Sequence, residues 1–271
     1  MDNSNKYELQ FSRNKIELDD INMVLIKEFI EKNNIPAIEL KNVRVKYWTD
    51  NQETKEFKLL QLFDCTIILD GVNYCILDGK WATFNQAYID YLDEIIDKIN
   101  QQSIQDSDYN FYENTISKLK KKAKRKLNYN EYIYNKYYMS NKGFDCIDRE
   151  FYDFAGHKVE LGDLINKNDK SIFHVKIGSP STLAYCLDQS KLYLKLMQNS
   201  TERNKILKHH NLSEINNIGV ILIFENKTLR SGSIDLKKIK SILFKVKLVD
   251  WFKEIQRSDF EPTIYLNVKR K

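Results

Sequence analysis

The chain has 271 residues, enough for one large domain or two smaller ones with a substantial core. Apolar residues make up 42% and charged residues 30%, with only 8 Gly and 3 Pro, which excludes a disordered or fibrous chain. No apolar run approaches the ~20 residues of a membrane span, the start MDNSNKYELQ lacks a signal-peptide core, and the scattered Cys65, Cys75, Cys146 and Cys186 form no C-x-x-C pair. These features argue against structural zinc and for reduced thiols in a cytoplasm.

In chain order, residues 18–34 (LDDINMVLIKEFIEKNN) space their apolar side chains for a helix with an acidic start. Strands are expected at Arg44–Trp48, Leu59–Leu69 and Val72–Leu77, the last two joined by an Asp70-Gly71 hairpin turn. Phe84 to Ile99 is an amphipathic helix, and the polar stretch Gln101–Asp108 is a linker. A long helix is expected from about Tyr112 to Tyr138, carrying the basic run Lys118–Lys126. Residues 1–116 hold 12 Lys/Arg against 21 Asp/Glu, whereas residues 117–271 hold 31 against 17. Two domains follow from this break: an acidic α/β accessory domain over residues 1–109 and a basic domain over residues 110–271. The basic half is suited to a polyanion, with Lys120, Lys121, Lys122, Lys124 and Arg125 as candidate nucleic-acid contacts. The run can equally be a solvated helix face, and the acidic half is a surface for a homodimer or a partner protein.

Short strands are expected near Phe144–Ile147 and Lys158–Leu161, then Ser171–Ile177, a helix from Ser181 to about Met197, and a buried strand Ile218–Phe224. A helix from Leu236 through Lys247, another around Trp251–Arg257 and a strand Thr263–Val268 complete a mixed α/β outline. Trp48, Trp81 and Trp251 are expected in the core, and His209-His210 at the surface without matching ligands.

The segment Lys158–Met197 is the most informative. Its turn, Asn166-Lys167-Asn168-Asp169-Lys170, is rich in turn formers. If Asn168 and Asp169 straddle the midpoint, Asp163, closing the first strand, stands across from His174 on the second. Cross-strand partners and residues two apart share a sheet face, so Asp163, His174 and Lys176 would project side by side. Gly178-Ser-Pro-Ser-Thr182 then opens the helix. Its free N–H groups, with Ser179 and Ser181, suit either phosphate binding or ordinary capping.

This order, with Gly162-Asp163 on one strand and His174-Val175-Lys176 on the next, resembles the PD-(D/E)xK nuclease superfamily and its restriction-endonuclease-like αβββαβ core. Glu131 stands on a helix before the sheet and Gln189 on the helix after it, while His174 replaces the usual Asp or Glu. A second resemblance covers most of the chain. Tyr74-Cys-Ile-Leu-Asp-Gly-Lys-Trp81, Tyr129-Asn130, Glu160-Leu-Gly-Asp163-Leu164 and His174–Lys176 are similar to the signature of a sporadically distributed bacterial family of unknown function. That distribution suggests phage defence or mobile elements.

The nuclease resemblance implies Mg²⁺ or Mn²⁺ held by oxygen ligands. Asp163 is the first candidate, then the carbonyl of Val175, then Glu160 or Glu131. Lys176 would orient water or stabilise the phosphorus centre. His174 would alter metal preference, act as a base or contact phosphate. The expected activity is metal-dependent phosphodiester hydrolysis, with DNA favoured. A non-catalytic nucleic-acid-binding module and a defence sensor are the alternatives. The chain has no P-loop, dinucleotide, zincin or nucleophile-elbow motif.

Overall fold

The computed structural model describes residues 6–48, 54–63, 65–77, 79–123, 129–154, 157–225 and 233–271. The chain divides into two compact units, Met1–Gln86 and Ala87–Lys271.

In the first unit, β1 (Lys6–Phe11), β2 (Asn14–Leu18), β3 (Arg44–Trp48) and β4 (Thr54–Lys58) form an antiparallel sheet in the order β2-β1-β3-β4. Helix α1 (Met23–Lys32) joins this sheet's core through Ile26 and Phe29, beside Leu9, Val43, Val45 and Leu59. It starts later than the sequence suggested. Leu18 pairs with Tyr7 as a strand, and the Asn22 side chain caps the N–H groups of Val24 and Leu25. The expected strand Leu59–Leu69 is interrupted by a helical turn at Leu59–Leu62. An antiparallel meander follows: β5 (Thr66–Leu69), β6 (Val72–Leu77) and β7 (Lys80–Phe84). Asp70 and Gly71, both at positive φ (50° and 75°), make its first turn. Trp81 belongs to β7 and is 56% exposed, so it is not a core anchor.

The second unit begins at Ala87, within α2 (Gln86–Gln102) and before the polar stretch expected to separate the domains. Asp93, Asp97 and Asn100 on this helix bond to Lys245, Lys237 and Asp235, which ties it to the C-terminal half. Next come β8 (Phe111–Tyr112), α3 (Glu113–Ala123) and α4 (Asn130–Ile133). The expected continuous helix to Tyr138 is therefore broken: α4 runs on into a π turn, Tyr134–Tyr138, and a 3-10 turn ended by Gly143 at φ 88°. Then follow β9 (Asp145–Cys146), the small antiparallel pair β10 (Phe151–Phe154) and β11 (His157–Glu160), and β12 (Leu164–Asn166). After β13 (Ser171–Gly178) come α5 (Pro180–Gln198), α6 (Ser200–His209), β14 (Asn217–Phe224), α7 (Ile242–Gln256) and β15 (Glu261–Arg270). Helix α7 is continuous where two helices were expected, and its start is set by the Ser241 hydroxyl accepting from Phe244 N–H at 3.1 Å.

The main sheet has the order β8-β15-β14-β13-β12-β9. Strands β13, β14, β15 and β8 run parallel, while β12 is antiparallel to both β13 and β9. This is a mixed α/β architecture, as the element order implied. Phe173, Val175, Ile221 and Ile223 face a core built with Ile116, Ile133, Tyr134 and Phe144. The alternate residues of β14 face the other layer, where Phe224 packs edge-on against Phe244 of α7. Both faces of β14 are thus covered, which is why its sequence is an unbroken apolar run. Gly219 is required there, because a Cβ would lie 2.3 Å from the Phe173 ring. No described helix is long and apolar enough to cross a membrane.

Candidate metal centre

The hairpin register is the one the turn implied: Leu164 pairs with Phe173 and Asn166 with Ser171, which brings Asp163 beside His174. Asp163 differs in one respect. It precedes β12 rather than closing a strand, because β11 ends at Glu160 and pairs with β10. Its backbone is fixed on two sides. Its N–H donates to the Phe173 carbonyl at 2.9 Å, and its carbonyl accepts from the Ile147 and Asp148 N–H groups at 2.9 and 3.1 Å. Its carboxylate then accepts from Val175 N–H at 2.6 Å.

A cavity of about 340 Å³ opens at this point, lined by Asp163, Val175, Lys176, Glu131, Glu160 and Gln189 among others. The structure therefore brings together every residue assigned to a catalytic or metal role in the sequence except His174. Val175, expected to offer its carbonyl to a metal, also donates its N–H to the Asp163 carboxylate. One carboxylate oxygen from each of Asp148, Glu160 and Asp163 lies within 4.8 Å of the other two. Burial pushes the Asp163 carboxyl well above the usual carboxylate range, reinforced by the charges of Asp148, Glu131 and Glu160 and opposed by the Val175 N–H.

Lys176 donates to Glu131 at 2.7 Å, and the two side chains are 24% and 18% exposed. Burial works against the Lys176 ammonium, but Glu131 and Asp163 outweigh it and hold its pKa above the ordinary value. For Glu131 burial wins over the attraction of Lys176, and its carboxyl is raised. Ile177 N–H also donates to Glu131, at 3.3 Å, so a helical acid is fastened to the end of the strand that carries the lysine.

Four lining residues were not assigned from sequence: Tyr129, Asp148, Arg149 and Phe151. The Tyr129 hydroxyl donates to Asp148 Oδ1 at 2.9 Å and Asn135 Nδ2 donates to Oδ2 at 3.0 Å, so the Asp148 carboxylate is held by both oxygens. Arg149 lies over the Tyr129 ring, 4.8 Å from its centroid, and its N–H donates to Glu160 at 2.8 Å. Its backbone is left-handed at φ 68°, an uncommon state for arginine that the Glu160 bond helps to hold. The available sequence signal was the polar triplet Asp148-Arg149-Glu150 directly after the strand expected near Phe144–Ile147. Tyr129 already stood in the family signature.

His174 is the correction. It is 2% exposed, packs edge-on against Tyr193 of α5 with ring centroids 6.0 Å apart, and does not line the cavity. Burial lowers its pKa to about 4, and neither ring nitrogen has a hydrogen-bond partner among the described residues. Its ring is thus a neutral, buried group beside the site and not part of its lining. Ser179 and Ser181 are exposed at the start of α5 and also lie outside the cavity lining. The Ser179 hydroxyl bonds to the hydroxyls of Ser181 and Thr182, at 2.9 and 3.2 Å, instead of capping a backbone N–H. Lys120 is half-buried and Lys121 exposed on α3. The side chain of Lys122, and Lys124 and Arg125 entirely, lie outside the described residues.

A family model described as a family of unknown function, DUF6119, matches residues 1–259. The chain belongs to that family. The resemblance carried by Tyr74–Trp81 and by the Glu160–Leu164 and His174–Lys176 segments points the same way, and all three fall within the DUF6119 match. No curated protein and no solved structure matches the chain.

Proposed function

We propose that the second unit is a metal-dependent phosphodiesterase of the nuclease type, with DNA the favoured substrate. The observation that carries this reading is the convergence of Asp148, Glu160 and Asp163 within 4.8 Å beside Lys176. Three carboxylates drawn together, one of them with a strongly raised pKa, fit a hard divalent cation such as Mg²⁺ or Mn²⁺, which takes oxygen ligands. When bound, such an ion supplies charge neutralisation at the phosphate and lowers the pKa of a coordinated water.

The remaining tasks fall to the chain itself. Lys176, held protonated by Glu131 and Asp163, donates to the oxygen on which charge develops. Glu131 positions that ammonium. Arg149, stacked on Tyr129 at the cavity wall, offers a guanidinium to a phosphate oxygen, and the basic second half draws in a polyanion. The strand arrangement supports the same reading. With the separate β10-β11 pair and α6 set aside, a helix bearing Glu131, antiparallel β9, β12 and β13, helix α5 and a parallel β14 follow one another, an order in keeping with the proposed core.

Mn²⁺ titration followed by electron paramagnetic resonance tests the centre. Wild type is expected to bind the ion and Asp163→Asn to lose it. Absence of wild-type binding at millimolar Mn²⁺ defeats the proposal. A second reading, a binding module that does not cleave, draws on the direct engagement of Lys176 by Glu131. It predicts DNA affinity that falls steeply with salt and no strand breakage.

A further inference from the structure

Outside the cleft, the second unit carries another convergence of metal-ligating atoms, contributed by segments 59 residues apart. His209 is the last residue of α6 and His210 is its C-cap. Glu150 follows the turn that carries Asp148 and Arg149. One oxygen of Glu150 lies 3.9 Å from His209 Nε2 and 3.8 Å from His210 Nδ1. The two imidazoles stand edge-to-face with centroids 4.8 Å apart, and one ligand atom from each of the three residues lies within 4.8 Å of the others.

Hydrogen bonding between Glu150 and the two rings does not explain the arrangement. Both nitrogen–oxygen separations are too long for hydrogen bonds. Burial, with smaller contributions from His209 and Lys167, lowers the His210 pKa to about 4, so at neutral pH its ring makes no ion pair with Glu150. The His210 side chain is only 4% exposed, and its Nε2 has no hydrogen-bond partner among the described residues. A largely enclosed imidazole thus presents its Nδ1 to the Glu150 carboxylate and stands edge-to-face with a second imidazole.

We propose that Glu150, His209 and His210 form a second metal site, which takes a divalent cation of the zinc class. The donor set decides the class: two imidazole nitrogens and one carboxylate suit Zn²⁺, Co²⁺ or Ni²⁺, not the oxygen-seeking Mg²⁺ or Ca²⁺. Tetrahedral bonds of about 2.0–2.1 Å separate ligands by about 3.3–3.4 Å. The 3.8 and 3.9 Å separations from Glu150 need to close by about half an ångström and the separation between the two imidazole ligand atoms by at most about 1.5 Å, movements for which the exposed side chains of Glu150 (49%) and His209 (53%) are free. Three protein ligands leave a fourth position for water or an external ligand. Occupancy would clip the end of α6 to the 147–150 turn, itself closed by the Glu150 N–H donating to the Ile147 carbonyl at 2.8 Å. The site stands independently of the reading of the carboxylate cleft.

The test is a Co²⁺ titration of untagged, EDTA-stripped full chain, followed by visible d–d absorption. Wild type is expected to bind one equivalent with a visible band that Zn²⁺ abolishes. Glu150→Gln should bind at least tenfold more weakly and His209→Ala should lose the band, both at exposed positions where the circular dichroism spectrum reports an intact fold. Asp163→Asn should leave the band unchanged. Folded wild type without a band overturns the proposal, and so does a band that survives His209→Ala or disappears in Asp163→Asn.

Discussion

Replacing Asp163 by Asn and by Ala separates its two roles. The carboxylate accepts from Val175 N–H at 2.6 Å and lies close to the Asp148 and Glu160 carboxylates. Asparagine keeps an acceptor and removes the charge, whereas alanine removes both. Val175 is buried, so an orphaned N–H there costs about 1–3 kcal/mol. At about 2 kcal/mol, Asp163→Ala should melt about 4–8 °C below Asp163→Asn. Because the folded-state pKa of Asp163 is raised, the folded protein binds a proton more tightly than the unfolded chain. This residue's contribution to stability therefore falls as pH rises from the ordinary carboxylate range through its own raised value. The Asn variant is free of that loss. Its melting temperature relative to wild type, measured by circular dichroism in EDTA, should rise with pH across the window, and added Mn²⁺ should reverse the gain. An Asn variant as unstable as the Ala variant, with a difference flat in pH, refutes the reasoning.

Two further substitutions probe the surrounding sheet. His174→Leu should leave Mn²⁺ binding intact and remove an acid sensitivity. With a folded pKa of about 4 against 6.5, wild type gives up about 2 kcal/mol by pH 5 that the variant keeps, which urea unfolding at pH 5 and 7 resolves. Gly219→Ala places a methyl 2.3 Å from the Phe173 ring and 2.8 Å from the Thr263 carbonyl, so β14 must shift. A loss of about 3 kcal/mol is expected in denaturant unfolding, at the upper end of overpacking costs.

The parts of this fold that could be read from sequence are those governed by local rules. The Asn168-Asp169 midpoint set the hairpin register, and the Ile218–Phe224 run identified the doubly covered central strand. Asp163, Glu131, Lys176 and Gln189 came together because hairpin geometry and element order sufficed to place them. His174 was misread because sharing a sheet face does not reveal whether that face is open. At His174, Tyr193 of α5 closes it. Asp148 and Arg149 were missed because a turn between two small strands delivers them, held by the Asp163 carbonyl and by Glu160. The approach of His209-His210 to Glu150 depends on tertiary packing across 59 residues, and no spacing rule exposes it. In the first unit, β1 and β2 were overlooked and Leu18 was taken into the helix, since the Asn22 cap is one polar residue among several.

The central claim is that the cleft hydrolyses phosphodiesters with Lys176 at its centre. The most direct measurement is the conversion of supercoiled plasmid to nicked circle by the purified full chain in Mn²⁺ and in Mg²⁺, beside Lys176→Ala. Wild type should nick and the variant should not, while both bind the plasmid at low salt. Nicking that persists in Lys176→Ala, or wild type that binds both Mn²⁺ and plasmid and leaves the DNA intact, contradicts the account.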